Sequence, residues 1–528
     1  MTLAEAFRLT DVPCLALVGA GGKTTALFQL ARELALSGAT KGSAVEGQPV
    51  IVTATTHLHV NQIKLADSHW IAQKPEDLAQ LEDDLRGVVL VTGQLDGDRT
   101  KGVDKYILCW LREIALNHNL PLLIEADGSG QRPLKAPAEH EPVIPEFVET
   151  VVVVAGLSGL GKPLTDEWVH RAAQFERLSG SANQRVITAE MVAKVLLHPE
   201  GGLKNIPPQA RRVALLNQAD TTELQSLAGM IAVELLPHYD AVISASLKPQ
   251  ALAPRSPALA CPGGQARAQV QESREPAGAR RPAAHLPQRC PPGQVPGSAG
   301  VNIDEHGLVY SVHERTAGII LAAGASERLG QPKQLLNWRG QPFIRAVAQT
   351  ALAADLFPII VVTGSRAEEV EAAIRDLPVT ITRNRDWQSG QSSSVRAGLS
   401  ALTPSPSPLP LSQIWERGRG KGGRSEVGAA IFLLADQPQV TPSVLRALVE
   451  RHSLDLSFIV APQVQGQRAN PVLFDRVTFP DLLALTGDGG GRGIFSKHPV
   501  TTLPWHDESL LLDVDTPEDH KKLEGWTS

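Results

Sequence analysis

Aromatic side chains are scarce. The 528 residues include 8 Trp, 3 Tyr and 11 Phe, or 4% in all, so the cores must be built mainly from Ala, Leu, Val and Ile. Cysteine is equally thin. Cys14, Cys109, Cys261 and Cys290 form no C-x-x-C pair, which argues against a thiolate metal site and fits a reducing cytoplasm. No apolar run approaches the length of a bilayer span. The first ten residues carry acid and no long apolar core, so no secretory signal is expected there. Charge of one sign is also missing: 50 basic residues face 56 acidic ones, and a net −6 argues against a nucleic-acid or anionic-membrane partner. The G-x-G-x-x-G dinucleotide fingerprint is absent, and no hexapeptide repeat follows Asp519.

What remains is ordinary globular material in quantity. At 42% hydrophobic content, 528 residues suffice for two or three domains. Residues 1–248 alternate strand-like runs (Pro13–Val18, Pro49–Ala54, Leu120–Glu125, Thr150–Ala155) with helix-like ones (Thr25–Ser37, Pro75–Leu85, Leu224–Leu236). The alternation resumes over 315–528. Strands are expected at Ala317–Ala322, Pro358–Thr363, Val379–Thr382, Ala429–Leu434 and Ser457–Ala461, with helices at Phe343–Asp355, Arg366–Arg375, Ser392–Leu402 and Pro442–His452. This pattern predicts an α/β protein of two Rossmann-like three-layer domains. Between them, 249–314 is crowded with Pro, Ala, Arg and Gly and reads as a low-complexity linker or degenerate junction. A second such stretch, 403–426, reads as a loop insertion, which closure entropy tolerates well.

Each half carries a phosphate-handling signal. In the first, Gly19-Ala20-Gly21-Gly22-Lys23-Thr24-Thr25 follows a strand and opens a helix. Backbone N–H groups of such a turn cradle phosphates, Lys23 reaches across, and Thr24 suits Mg²⁺. The spacing departs from the standard loop, because Leu17 stands where the first glycine belongs. A later strand ends in Glu125-Ala126-Asp127-Gly128, so Asp127 or Glu125 could hold the metal. His57 and His59 would share a strand face, but a pair without a third ligand is more often solvated or hydrogen-bonded. In the second half, Gly318-Ile319-Ile320-Leu321 runs into Ala322, Ala323 and Gly324, small enough for the backbone to approach a ligand. Arg328 and Lys333 then add fixed positive charge.

The second half resembles the MobA-like nucleotidyltransferases, and within them the molybdenum cofactor cytidylyltransferases. Beyond Leu321-Ala322-Ala323-Gly324, the matches are Leu434-Ala435-Asp436-Gln437-Pro438, Asn470-Pro471-Val472-Leu473-Phe474, Gly487-Asp488-Gly489-Gly490-Gly491-Arg492 and Asp513-Val514-Asp515-Thr516-Pro517, in that order. Leu329 stands where Met is usual, and Ala469 where Gly is usual. The resemblance implies transfer of a nucleotidyl group from CTP to a molybdopterin-type acceptor, with release of pyrophosphate. Positioning and charge neutralisation carry such a reaction. Arg328 would hold the leaving phosphates and Lys333 the α-phosphate. Asp436 would hold Mg²⁺, a hard cation that takes oxygen ligands, with Asp515 as second ligand and Asp513 less so. A helix-capping role for Asp515 is nearly as well motivated. Asn384, Trp387, Gly390 and Ser392–Ser394, with Asn470 and Arg492, have the residue types for an acceptor phosphate or flat heterocycle. Trp387 could stack on a pterin or equally anchor the loop.

The first half resembles the selenium-dependent hydroxylase accessory proteins, on Val18–Thr25, Glu125-Ala126-Asp127-Gly128-Ser129, Leu134-Lys135-Ala136-Pro137 and Gly161-Lys162-Pro163-Leu164. That implies a molybdenum-enzyme context and little more, in which an apo molybdenum hydroxylase is a possible partner; ATP or GTP at the glycine-rich loop is expected from the loop's own residues. Two rival readings stay open. One is another NTP transferase, using GTP or acting on a sugar or isoprenoid phosphate. The other is a non-catalytic cofactor carrier.

Overall fold

The computed structural model describes residues 1–9, 12–37, 47–181, 184–248, 308–325, 332–402, 427–514 and 516–525. The first half is a three-layer α/β unit on a nine-stranded sheet. In chain order its main elements are α1 (Leu3–Phe7), β1 (Cys14–Gly19), α2 (Lys23–Ser37), β2 (Val50–Ala54), β3 (Ser68–Ile71), β4 (Val88–Thr92), α3 (Lys105–Asn117) and β5 (Leu122–Glu125). A short strand β6 (Leu134–Lys135) follows, then β7 (Thr150–Gly156), β8 (Val169–His170), α4 (Ala172–Ser179), α5 (Ala189–Leu197), β9 (Arg211–Asn217), α6 (Thr222–Leu235), β10 (Ala241–Ser246) and β11 (Leu308–Glu314). The sheet order is β11-β10-β9-β7-β1-β5-β2-β4-β3. All neighbours run parallel except β11, which closes the edge antiparallel to β10.

Burial on both faces is written into β1. Cys14, Ala16 and Val18 enter one apolar cluster, Leu15 and Leu17 the other, as the two-residue repeat of a strand requires. Parallel strands put all their carboxyl ends at one edge, where a ligand finds loops and helix N-termini. The glycine-rich turn after β1 and the carboxylates at and just past the end of β5 meet there because β1 and β5 are adjacent.

The second half repeats the layering on an eight-stranded sheet. It comprises β12 (Thr316–Ala322), α7 (Phe343–Ala353), β13 (Ile359–Thr363), α8 (Ala367–Ile374), β14 (Thr380–Arg383), α9 (Gln391–Leu402), β15 (Ala429–Leu434) and α10 (Pro442–Asp455). Then come β16 (Ile459–Val464), β17 (Gln467–Arg468), β18 (Val472–Asp475), β19 (Val500–Pro504) and α11 (Pro517–Gly525). The order is β14-β13-β12-β15-β18-β16-β17, with β19 on β16. Ala317 and Ile319 pack on one side of the sheet, Ile320 and Ala322 on the other. Because β12 and β15 are parallel neighbours, Leu321 lies opposite Leu434, and the loop after β12 emerges beside Asp436.

The α/β architecture is the one expected, and most elements start and stop within a few residues of their expected bounds. Two expectations need correction. The helix expected over Pro75–Leu85 is two short 3₁₀ turns, Pro75–Leu78 and Leu81–Asp84. Asp77 accepts the Gln73 and Lys74 N–H groups, and buried Leu78 and Leu81 pin each turn separately. The linker reading of 249–314 also fails at its end: 308–314 is β11, whose N–H and C=O groups cover the open edge of β10. The rest, 249–307, lies outside the described residues, as does the expected insertion 403–426.

Candidate active sites

The loop after β1 turns on glycines. Gly19, Gly21 and Gly22 all have positive φ (97°, 86° and 118°). A Cβ on Gly21 would sit 2.3 Å from the Gly156 nitrogen, so no other residue fits that turn. Three of the loop's amides are already used. Gly19 N–H donates to Asp127, Ala20 N–H to Val154 O at 2.8 Å, and Gly21 N–H to Arg132 O at 3.1 Å. A phosphate therefore meets Gly22 and the first turn of α2, a smaller cradle than the standard spacing makes.

Lys23, 3% exposed, donates to Gly19 O at 2.8 Å and lies 3.2 Å from Asp127 and 3.8 Å from Glu125. Thr24 Oγ1 donates to Glu125 Oε2 at 2.8 Å. Asp127 is occupied on its far side by Lys135 Nζ at 2.9 Å. With two lysines and a backbone N–H upon it, Asp127 is a poor metal ligand. The carboxylate beside Thr24 is Glu125, and hydroxyl plus carboxylate is the donor set a hard cation takes. Burial raises the Glu125 pKa, and Lys23 and Thr24 pull it back only in part. The two histidines are structural: His57 Nδ1 bonds Thr100 O, and His59 caps a helical turn.

The ionic chain continues outward. Lys135 lies 3.0 Å from Glu141, and Arg171 2.9 Å from it on the other side. Burial alone would raise the Glu141 carboxyl, but Lys135, the Ala138 N–H and Arg171 outweigh it and hold the group at about 2, against an ordinary 4.5. A carboxyl depressed on folding stabilises the protein above its unfolded pKa, and that contribution is lost as pH falls from 4.5 towards 2. Urea midpoints measured across this window should therefore fall less steeply for Glu141→Gln than for the parent. Identical slopes would show that the chain does not form in solution.

In the second half, Ala322, Ala323 and Gly324 leave β12 as a loop braced by Gln334. Its buried amide donates to Ala322 O (3.3 Å) and Gly324 O (3.1 Å). Lys333 Nζ stands 3.6 Å from Asp436 Oδ2, and the Asp436 side chain keeps one third of its surface exposed. Arg328 and Asp515 lie outside the described residues. The segment next to Asp515 is nonetheless clamped beside Asp436: Gln437 Nε2 donates to Asp513 at 2.9 Å, and Gln439 Nε2 to Leu512 O at 2.9 Å.

The expected acceptor residues form a second lobe of this edge. Asn384 is buried, its amide donating to Ser393 Oγ (2.7 Å) and Ser394 Oγ (3.0 Å), and its N–H bonds Thr363 O. Trp387 is half-buried beside the loop 322–324, since a Cβ on Gly364 would touch both the Trp387 Cβ (2.9 Å) and Ala323 (2.8 Å). The loop 487–492 packs against this lobe through Gly487 O, which accepts from Ser392 N–H at 3.2 Å. Arg492 is exposed on the turn Gly490–Ile494, and Asn470 sits between β17 and β18.

Among the described residues no group of three or more His, Cys, Asp or Glu converges as a metal cage. Magnesium needs fewer protein ligands when a triphosphate supplies the rest. Part-exposed Asp436 suits that, and Gln437 Oε1 beside it is buried with no partner among the described residues. Sequence reasoning missed Gln334, whose only signal is its place directly after Lys333.

Residues 15–173 match the family model described as YqeC protein, and residues 318–502 the MobA-like NTP transferase domain. An uncharacterized protein YqeC from Escherichia coli (strain K12) is 32% identical over 218 residues, which is 40% of this chain and 77% of that protein. This chain belongs to the YqeC family, and its C-terminal half is a MobA-like NTP transferase domain. Both resemblances drawn from the motifs hold, and the C-terminal half is a nucleotidyltransferase by family. Two further relatives differ in name. A nicotine blue oxidoreductase from Paenarthrobacter nicotinovorans is 30% identical over 39% of this chain and 95% of its own length. A molybdenum cofactor cytidylyltransferase from E. coli is 24% identical over 38% of this chain and 91% of its own. No helix among the described residues is long and apolar enough to cross a membrane.

Proposed function

We propose that the C-terminal domain transfers a cytidylyl group from CTP to the phosphate of a molybdopterin-type acceptor, and that the YqeC domain binds a nucleoside triphosphate in the maturation of a molybdenum hydroxylase. The observation that carries the first part is Lys333 Nζ at 3.6 Å from Asp436 Oδ2, beside the braced loop 322–324. An acceptor phosphate oxygen attacks the α-phosphorus, the α–β bridging P–O bond breaks, and pyrophosphate leaves with the electron pair. A phosphate acceptor is already ionised, so no strong base is needed. Lys333 neutralises charge at the α-phosphate, and the loop amides hold the triphosphate in line. A bound Mg²⁺ on Asp436 would add Lewis acidity at the α-phosphate. Choice of CTP and of molybdopterin is supported by the cytidylyltransferase relative. The oxidoreductase name among the relatives makes fold similarity alone a weak guide, so the reading rests on the lysine, the carboxylate and the loop.

For the YqeC domain the support is Lys23 buried against Gly19 O with Thr24 on Glu125, a set ready to exchange these partners for phosphate and metal. A pyrophosphate-release screen of the four NTPs against molybdopterin and common sugar phosphates tests the transferase. The expected result is release with CTP and molybdopterin well above every other pair. Acceptor binding without release from any NTP would favour a carrier instead.

A further inference from the structure

The ends of β9 and β10 carry residues that the phosphate chemistry does not use. Asn217 is 1% exposed at the last position of β9. Its Nδ2 donates to Gly21 O at 2.7 Å, 196 residues back in the phosphate loop, and its Oδ1 accepts from Leu247 N–H at 2.9 Å. Even a Cβ on Gly22 would fall 2.3 Å from that amide nitrogen. One side chain thus ties three segments at the carboxyl edge: the loop after β1, the end of β9 and the residue after β10. Three residues on, Asp220 is exposed, and its Oδ1 accepts from Ser246 Oγ at the end of β10. Ala219 N–H donates to Ala245 O at 3.0 Å, fixing the same two strand ends together. The aspartate is held in place, faces solvent, and among the described residues has no cation as a hydrogen-bond partner.

Position defines what Asp220 can read. In the sheet, β1 and β9 are separated only by β7, so the end of β9, from which the loop bearing Asp220 leaves, lies about 10 Å from the end of β1 at ordinary strand spacing. That is roughly the reach from the phosphates of a nucleotide to its base. A carboxylate is acceptor-only, with two oxygens side by side. Among the nucleobases, guanine presents two adjacent donors, N1–H and the 2-amino group. Adenine would turn the N1 lone pair toward the carboxylate, and the pyrimidines lack the paired donors.

We propose that the YqeC domain is a guanine-nucleotide site, in which Asp220 reads the base, Ser246 orients Asp220, and Asn217 couples the base-reading end of β9 to the phosphate loop at Gly21. The inference rests on the phosphate-loop reading of residues 19–25 and adds base identity to it. Asn217 and Ser246 are positioning residues, and Asp220 contacts the ligand. A site built to accept two donor groups rejects bases without them strongly.

The test is equilibrium binding of the full chain to GTP, ATP, ITP and XTP with Mg²⁺, non-hydrolysable analogues being used throughout. Because the C-terminal domain also takes nucleotide, each titration is repeated with Lys23→Ala, and the YqeC contribution is the part that variant loses. The expected result is a Lys23-dependent affinity for GTP at least about 100-fold above that for ATP. ITP, which lacks the 2-amino group, should fall between them. In Asp220→Asn the amide keeps one acceptor and gains one donor, matching the N1–H and 2-oxo edge of xanthine. GTP should then weaken by about 100-fold while XTP tightens. Equal Lys23-dependent affinities for GTP and ATP, or an unchanged preference in Asp220→Asn, overturn the base assignment and leave the phosphate loop standing. No Lys23-dependent binding of any nucleotide overturns both.

Discussion

Asp436→Asn lowers pyrophosphate release by about 10²–10³-fold, the scale seen when one preorganised electrostatic contact to a transition state is removed. The substitution keeps shape and volume and deletes only the charge. That charge has two functions in the proposed site: it would hold the divalent cation, and it sets the field around Lys333 Nζ, 3.6 Å away. The stability of the domain should barely respond. With one third of the Asp436 side chain exposed, its pair with Lys333 falls in the range of surface ion pairs, ~0–1 kcal/mol. The measurement therefore has two arms, initial rate and unfolding midpoint. A large rate loss with an unmoved midpoint is the expected outcome. An unchanged rate would end the metal assignment, and a collapse of both would mean that Asp436 holds the fold. Because a ligand-holding defect can appear as weaker binding, the rate is taken across CTP and Mg²⁺ concentration. Partial recovery at high Mg²⁺ would point to the cation, and recovery at high CTP alone would point to Lys333.

The position of both candidate phosphate loops was legible in the sequence because each is local. An apolar run, small residues and a following cation lie within a dozen positions, and strand periodicity fixes which edge they reach. The placement of Asp436 beside the loop after β12 was legible for the same reason, two residues past the Leu434 end of β15. What the sequence hides is whatever depends on strand order. Asn217 touches Gly21 only because β7 alone separates β9 from β1, and nothing in residues 211–220 shows that neighbour. The assignment of Thr24's partner turned on the same kind of detail. Glu125 and Asp127 look interchangeable in sequence, yet the lysines at 23 and 135 take Asp127 and leave Glu125 against the hydroxyl. The strand at 308–314 was missed because it follows a Pro- and Gly-rich stretch that masks its alternation, and because its partner strand ends at Ser246.

The most distant contact carries the largest stability prediction. Arg8, at the left-handed cap of α1, reaches Glu314 at 2.7 Å and Asp475 at 3.0 Å, the latter 467 residues away. His452 Nε2 bonds Asp475 Oδ2 at 2.8 Å, and Arg211 joins Glu314 at 3.2 Å. All of this surrounds the single-residue step, Arg315, between the last strand of one sheet and the first of the other. Asp475 is 1% exposed. Burial works against its charge, but hydrogen bonds from His452 and Arg8 win and hold its carboxyl below the ordinary range. Asp475→Ala leaves the Arg8 guanidinium buried without this counter-charge and should cost about 3–5 kcal/mol, read as a lowered urea midpoint. Replacing the pair, Arg8→Met with Asp475→Leu, removes both buried charges and should recover much of that loss. Such a pattern would mean that the two domains unfold as one cooperative body, held by an interface no motif announces. If Asp475→Ala costs less than about 1 kcal/mol, the contact is worth no more than a surface pair and the two domains stand independently. The choice bears on function, since a shared interface would let occupancy of the YqeC site alter the transferase edge through β11, β12 and the single residue between them.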